Sequence, residues 1–275
     1  MTESQHLGSG PRNGGVLSKD AINQLPVGGF RGRIEVVEGT SAAAACDALR
    51  AGAARDGAPV LGFDTESRPA FKRGERHPIA LVQLATADFA CLFRIDPQSG
   101  PPPALRDLLA SRDVIKVAQG PADEVRELRD RWRVEARRVL DLVPIARAAG
   151  CSPLSLRALA AAYLAIRISK GAQTSNWAAP RLSERQRRYA ATDAWACREI
   201  FLAMGAPPAA EVRVADEQRS ARGARRRPPR RRGASVAGVE RRAGGRVRGE
   251  TRRTDSAAAD GSVSGRALPA HTRTR

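Results

Sequence analysis

The chain has 275 residues, 42% of them hydrophobic, and is long enough to bury one sizeable core. Its net charge of +18 is unevenly placed, because residues 207–275 contain 18 arginines and seven acidic residues. No run approaches the roughly 18 apolar residues of a membrane span, the polar start lacks the apolar stretch of a secretory signal, and the cysteines and histidines have no zinc-site spacing. These features argue against membrane, secreted and zinc-finger proteins and predict a cytoplasmic protein.

The apolar patterns predict one folded region over residues 19–206, with the first ordered backbone near Leu25. Residues 1–18 and the arginine-rich tail 207–275 are expected to be disordered. Strands are predicted at 32–37, 60–66, 79–85, 89–95 and 114–118, the third and fourth forming a hairpin. Helices are predicted at 41–55, 103–110, 121–132, 142–149, 154–164 and 184–204. Strands early and helices late indicate an α/β layered domain around one mixed sheet.

Two carboxylates, Asp64 and Glu66, end the apolar run that begins at Val60. Because alternate side chains of a strand share a face, the two acids are expected to project together. Such a pair suits a divalent cation, since Mg²⁺ and Mn²⁺ prefer oxygen ligands. Taken alone, the pair is more typical of a solvated strand end.

A third acid, Asp193, lies in the last predicted helix. At about 100° per residue it falls at the border of the apolar stripe and faces inward. Tyr189 precedes it by one turn, so both polar ends are expected at the same place. A hydrogen bond between Asp193 and the backbone inside the core is the alternative to a functional role.

The helix predicted from Pro121 offers two adjacent acids, Asp123 and Glu124. Its buried stripe is defined by Val125, Leu128 and Trp132, and Glu124 lies roughly 65° from the centre of that stripe. Asp123 points nearly the opposite way and is better placed to favour the helix N-terminus. The geometry therefore selects Glu124 as the acid near the core.

Three blocks of sequence resemble the DEDDy-type 3′–5′ exonucleases of the ribonuclease D and Werner-helicase exonuclease group. The first is Gly62-Phe63-Asp64-Thr65-Glu66, followed by Ile79-Ala80-Leu81-Val82-Gln83-Leu84-Ala85. The second runs from Lys116 to Leu128, and the third combines Ser169-Lys170-Gly171 with Tyr189-Ala190-Ala191-Thr192-Asp193. The resemblance covers about residues 19–204.

This resemblance implies a ribonuclease H-like, three-layer fold with a mixed five-stranded sheet flanked by helices. It implies two Mg²⁺ or Mn²⁺ ions held by Asp64, Glu66, Glu124 and Asp193, with Tyr189 orienting the attacking water. The expected reaction is hydrolysis of DNA or RNA from single-stranded or recessed 3′ ends to give nucleoside 5′-monophosphates. The family has aspartate where this chain has Glu124, so Asp123 is kept as an alternative ligand.

Substrate contacts are expected from Lys170, Trp177 and Arg181, in the segment that leads into the last helix. For Trp177, a packed aromatic that anchors the helix is an equal alternative. The arginine-rich tail is interpreted either as a nonspecific nucleic-acid-binding arm or as a solubilising extension. The alternative function is a catalytically weakened or inactive nucleic-acid-binding module. Neither a partner other than nucleic acid nor an oligomeric state follows from the sequence.

Overall fold

The computed structural model describes residues 17–55, 59–72 and 74–207. Both predicted terminal segments lie largely outside these ranges. The strands, in chain order, are β1 (Arg33–Val37), β2 (Val60–Ser67), β3 (Ile79–Ala85), β4 (Phe89–Arg94), β5 (Ile115–Ala118) and β6 (Val139–Asp141). The helices are α1 (Lys19–Gln24), α2 (Ala42–Arg55), α3 (Pro103–Ala110), α4 (Ala122–Trp132), α5 (Leu142–Ala148), α6 (Leu156–Leu164) and α7 (Glu184–Ala203), with a short 3₁₀ turn at Gly39–Ser41.

The six strands form one mixed sheet in the order β1-β4-β3-β2-β5-β6. β3 is antiparallel to both of its neighbours, and the pairs β1 with β4, β2 with β5 and β5 with β6 are parallel. The predicted hairpin is confirmed, since the Thr86 backbone N–H donates to the Phe89 carbonyl at 2.8 Å. The predicted α/β class is also confirmed.

Helices cover both faces of the sheet, as a three-layer fold requires. One core cluster joins α2, α3 and α4 to one face, through residues such as Leu49, Leu108 and Leu128. Two further clusters join α5, α6 and α7 to the other face. No helix among the described residues is long and apolar enough to cross a membrane.

The prediction of five strands was wrong, because β6 adds a sixth at the edge beside β5. β6 has only three residues, too few to show a periodic pattern, and it is held by parallel pairing with β5. Ordered structure also begins before Leu25, since Ser18 caps α1 and Ile22 packs against Ala158 and Ala161 of α6. Both elements are stabilised by tertiary contacts that the local sequence does not reveal.

Close packing of α7 on β2 positions the functional site. α7 begins with a reciprocal capping box between Ser183 and Gln186, which fixes where its first turn starts. A Cβ atom on Gly62 would lie 2.6 Å from the carbonyl carbon of Ala194, so the strand and helix backbones are in direct contact. Farther along α7, the buried Arg198 side chain donates from Nε to the Val60 carbonyl at 3.1 Å.

Candidate active site

Three carboxylates meet where β2 passes under α7. Asp64 and Glu66 lie two residues apart on one face of β2, and Asp193 lies near the middle of α7. One carboxylate oxygen from each residue lies within 4.8 Å of the other two. Among the described residues, no second group of three metal-ligating side chains lies so close together. The inward position predicted for Asp193 is confirmed by its burial.

The carboxylates are difficult to ionise together. Burial raises the pKa of Glu66 to about 9, and the charges of Asp64 and Asp193 add to this effect. Burial raises the pKa of Asp193 to about 7, against a smaller opposing effect of a hydrogen bond from Tyr189. The pKa of Asp64 is also raised, first by burial and then by Asp193. A cation between the oxygens would remove this penalty, and three hard oxygen donors are the ligands that a divalent cation requires.

Tyr189 lies one helical turn before Asp193, as its spacing predicts. Its hydroxyl donates a hydrogen bond to the Asp193 carboxylate. Its ring is half-buried and packs against Trp177, with 5.9 Å between the ring centroids. Burial and the neighbouring acids raise the pKa of the phenol, so the hydroxyl stays protonated at neutral pH.

The two acids of α4 take opposite positions, as the helical geometry predicts. Glu124 is half-buried, and its Oε2 atom is buried without a hydrogen-bond partner in the described part of the chain. Burial raises the pKa of Glu124, and its charge contributes to the raised pKa of Asp64. Asp123 is exposed and forms an ion pair with Arg126. Glu124 thus lies near the three clustered carboxylates but outside the 4.8 Å group.

A family model described as 3′–5′ exonuclease matches residues 39–206, which is more than half of the chain. The chain belongs to the 3′–5′ exonuclease family. It is 33% identical over 152 residues to the mouse bifunctional 3′–5′ exonuclease/ATP-dependent helicase WRN, an alignment that covers 53% of this chain and 11% of that protein. It is 36% identical over 145 residues to the Drosophila melanogaster exonuclease 3′–5′ domain-containing protein 2, covering 52% of this chain and 24% of that protein. The chain therefore matches less than a quarter of either curated relative.

Solved structures agree with the exonuclease assignment at the level of the fold. The Nibbler EXO domain of Aedes aegypti superimposes with a TM-score of 0.55 at 22% identity, covering 66% of this chain and 92% of that one. Escherichia coli RNase D superimposes with a TM-score of 0.51 at 20% identity, covering 64% and 46%. The ribonuclease H-like three-layer arrangement is thus confirmed, with the sixth strand as the difference from prediction.

Asp64, Glu66 and Asp193 line a cleft of about 260 Å³. Of the three predicted substrate contacts, only Lys170 lines this cleft, where its side chain is exposed. Arg181 is exposed but is not part of the cleft wall. Trp177 is fully buried against Tyr189, so its ring has no free face for a base; the anchoring alternative describes its position.

Several residues of the cleft wall were not predicted as site residues. They come from four separate segments and are Gln119, Ser155, Arg157, Gln173 and Cys197. Arg157 is fixed by hydrogen bonds to the Ile168 carbonyl at 3.1 Å and to Asn23 Oδ1 at 2.7 Å. Cys197 follows Asp193 by one turn, a spacing that helical periodicity alone reveals, and burial raises the pKa of its thiol.

An exposed aromatic also went unpredicted. Phe71, in the loop that follows β2, is 85% exposed, and both Arg68 and Lys72 in the same loop are exposed. An exposed aromatic beside cationic side chains is typical of surfaces that bind single-stranded nucleic acid.

Proposed function

We propose that this chain is a divalent-metal-dependent 3′–5′ exonuclease that hydrolyses the phosphodiester bonds of DNA or RNA at single-stranded or recessed 3′ ends. Its products are nucleoside 5′-monophosphates. The observation that carries the proposal is the meeting of Asp64, Glu66 and Asp193 within 4.8 Å in a member of the 3′–5′ exonuclease family. The family match over residues 39–206 also supports an exonuclease domain that spans residues 19–206.

The clustered acids would hold two Mg²⁺ or Mn²⁺ ions, with Glu124 completing the set. When bound, such ions supply Lewis acidity to the attacking water, the phosphoryl group and the leaving 3′ oxygen. The backbones of β2 and α7 are in contact, and this contact fixes the positions of Asp64, Glu66 and Asp193, which would hold the ions. Glu124 is one methylene longer than aspartate. Its Oε2 atom is buried without a hydrogen-bond partner among the described residues, so binding of an ion there would remove the cost of leaving that oxygen unpaired.

The remaining residues act on the water and the substrate. Tyr189 keeps its proton and is hydrogen-bonded to Asp193, so it orients the attacking water rather than deprotonating it. Lys170, exposed at the cleft, is placed to pair with a phosphate of the strand. The four described cysteines are free thiols, which supports a reducing, cytoplasmic setting.

The test uses end-labelled DNA and RNA strands of the same sequence, incubated with the purified chain and Mg²⁺, Mn²⁺ or EDTA. We expect metal-dependent shortening from the 3′ end that is abolished by Asp64→Ala and by Asp193→Ala. Asp130→Ala is a matched control, since Asp130 is an exposed acid paired with Arg129 on α4. Degradation that survives both site changes would show that the nuclease activity does not come from this cluster.

A second candidate function is binding of nucleic acid with weak or absent catalysis. It is favoured by the position of Glu124 outside the 4.8 Å group of three carboxylates. It predicts salt-sensitive binding without metal-dependent turnover. Glu124→Asp distinguishes the two, because a large gain in rate identifies a site weakened by the longer side chain. If Asp123→Ala stops turnover and Glu124→Ala does not, Asp123 rather than Glu124 is the metal ligand that α4 supplies. In this second candidate the arginine-rich tail contributes to nucleic-acid binding. The tail lies outside the described residues.

A further inference from the structure

A second cavity, which we call the α7 pocket, adjoins the acidic cleft. It has a volume of about 630 Å³, more than twice that of the cleft, and lies between residues 27–31, residues 169–172 and the first turns of α7. Ser169 and Tyr189 line both cavities. A ligand that leaves the carboxylate cluster past Tyr189 therefore enters the α7 pocket directly.

The wall of this pocket formed by residues 27–31 is firmly attached to the domain. The Gly28 N–H donates to the Arg167 carbonyl at 3.2 Å, and the Phe30 N–H donates to Thr192 Oγ1 of α7 at 3.0 Å. A Cβ atom on Gly29 would lie 2.9 Å from that same Thr192 oxygen, so the backbone of this wall packs directly against the Thr192 side chain of α7. This wall of the pocket is therefore anchored backbone.

The lining of the α7 pocket combines apolar and cationic groups. Gly28, Phe30 and Ala172 contribute apolar surface. Three guanidinium groups and one acid contribute the charge, namely Arg31, Arg185, Arg188 and Glu184. Glu184 pairs with Arg188 at 2.7 Å, whereas Arg31 is exposed and makes no hydrogen bond or ion pair with any described residue. The α7 pocket is therefore cationic, while the adjoining cleft is anionic.

The opposite charges of the two cavities restrict which class of ligand can occupy both. Arginine is suited to bidentate binding of phosphate, and apolar surface beside it suits the flat face of a base. A volume of 630 Å³ falls within the range of about 300–1,000 Å³ that is usual for small-molecule sites. A nucleotide carries both chemical features, and a polynucleotide strand is a ligand that extends from the one cavity into the other.

We propose that the α7 pocket binds the substrate strand on the 5′ side of the scissile phosphodiester, with Arg31 and Arg188 contacting its phosphates. The inference rests on the proposed exonuclease function and adds the direction in which the strand leaves the carboxylate cluster. The 3′-terminal nucleotide occupies the acidic cleft, and the strand passes Tyr189 into the pocket.

The experiment compares two substrates in the presence of Mg²⁺ or Mn²⁺. One is a trinucleotide, and the other is the p-nitrophenyl ester of a nucleoside 5′-monophosphate, in which nitrophenol replaces the strand on the 5′ side. The readout is the ratio of kcat/KM for the trinucleotide to kcat/KM for the ester. We expect Arg31→Glu to lower this ratio at least tenfold, through KM, because an attractive phosphate contact becomes repulsive. Arg188→Ala removes a positive charge but introduces no negative one, so it is expected to lower the ratio by a smaller factor.

Arg112→Glu is the matched control for charge. Arg112 is exposed in the turn before β5, at the end of the sheet away from the acids, and should leave the ratio at the wild-type value. Wild-type ratios in both Arg31→Glu and Arg188→Ala, or an equal fall in Arg112→Glu, would overturn the assignment of the pocket. A wild-type chain that cleaves neither substrate would instead refute the exonuclease function on which the assignment rests.

Discussion

Replacing Gly62 with alanine would insert one methyl group between β2 and α7. The added Cβ would lie 2.6 Å from the carbonyl carbon of Ala194 and nearer still to the carbonyl oxygen. An ordinary contact between carbon atoms requires about 3.5 Å, so the helix and strand have to separate by at least about 1 Å. The obstacle is backbone on both sides, and no side chain can turn aside to relieve it.

The expected loss has two parts. Overpacking of this kind costs roughly 1–3 kcal/mol of unfolding free energy. Asp193 directly precedes Ala194, so the same displacement moves its carboxylate away from Asp64 and Glu66. A misplacement of about 1 Å lowers turnover roughly 100-fold, since Mg²⁺ demands near-octahedral ligand geometry.

Chemical denaturation measures the stability change, and cleavage of an end-labelled strand measures the activity change. Gly52→Ala is the control, because Gly52 lies on α2, across the sheet from the acids, and the three atoms nearest to its added Cβ all belong to the Thr86 side chain, the closest at 2.9 Å. The gain in helix propensity, about 1 kcal/mol, offsets that crowding, and turnover should stay at the wild-type level. A Gly62→Ala protein with wild-type stability and turnover would refute the claim that this contact sets the separation of the carboxylates.

Three further outcomes follow from individual groups. The pKa of Glu66 rises from 4.5 to about 9 on folding without metal, so the folded state holds protons that the unfolded chain releases. The unfolding free energy in EDTA should therefore fall as pH rises between these values, and Mg²⁺ should reduce the fall; equal curves with and without metal would contradict this. Gln83 is fully buried, and neither polar atom of its amide has a hydrogen-bond partner among the described residues, so Gln83→Leu should raise the unfolding free energy by about 1 kcal/mol. A lower melting temperature would show that the amide has a partner. Phe71→Ala should weaken binding of single strands by roughly 1–3 kcal/mol per stacked base without changing the melting temperature, and unchanged affinity would exclude stacking on Phe71.

Local periodicity was enough to place most of the acids. The alternation of β2 puts Asp64 and Glu66 on one face, and the helical wheel turns Asp193 inward, because both patterns repeat within a few residues. The same reasoning separated half-buried Glu124 from exposed Asp123. What periodicity cannot give is the distance between elements, so it could not show that Glu124 lies outside the 4.8 Å group.

What the sequence left open or missed depends on contacts between distant parts of the chain. Trp177 lies in a segment without regular structure, so no repeating pattern could decide between a substrate contact and an aromatic buried against Tyr189. The α7 pocket was missed because residues 27–31 and Thr192 are about 160 positions apart in sequence and meet only in the folded domain. β6 depends in the same way on its pairing with β5.

Holding three carboxylates within 4.8 Å opposes folding in the absence of a cation, since burial and mutual repulsion raise their pKa values. The packing around α7 has to offset this penalty. The buried face of the helix carries small side chains at Ala190, Ala191 and Ala194, which allow its backbone to approach β2 closely. Asp193 lies within this tightly packed stretch, and its position is set by backbone contact rather than by a flexible loop. The carboxylates are therefore held close together before any ion binds, so an ion that binds there gains the relief of their repulsion with little reorganisation of the fold.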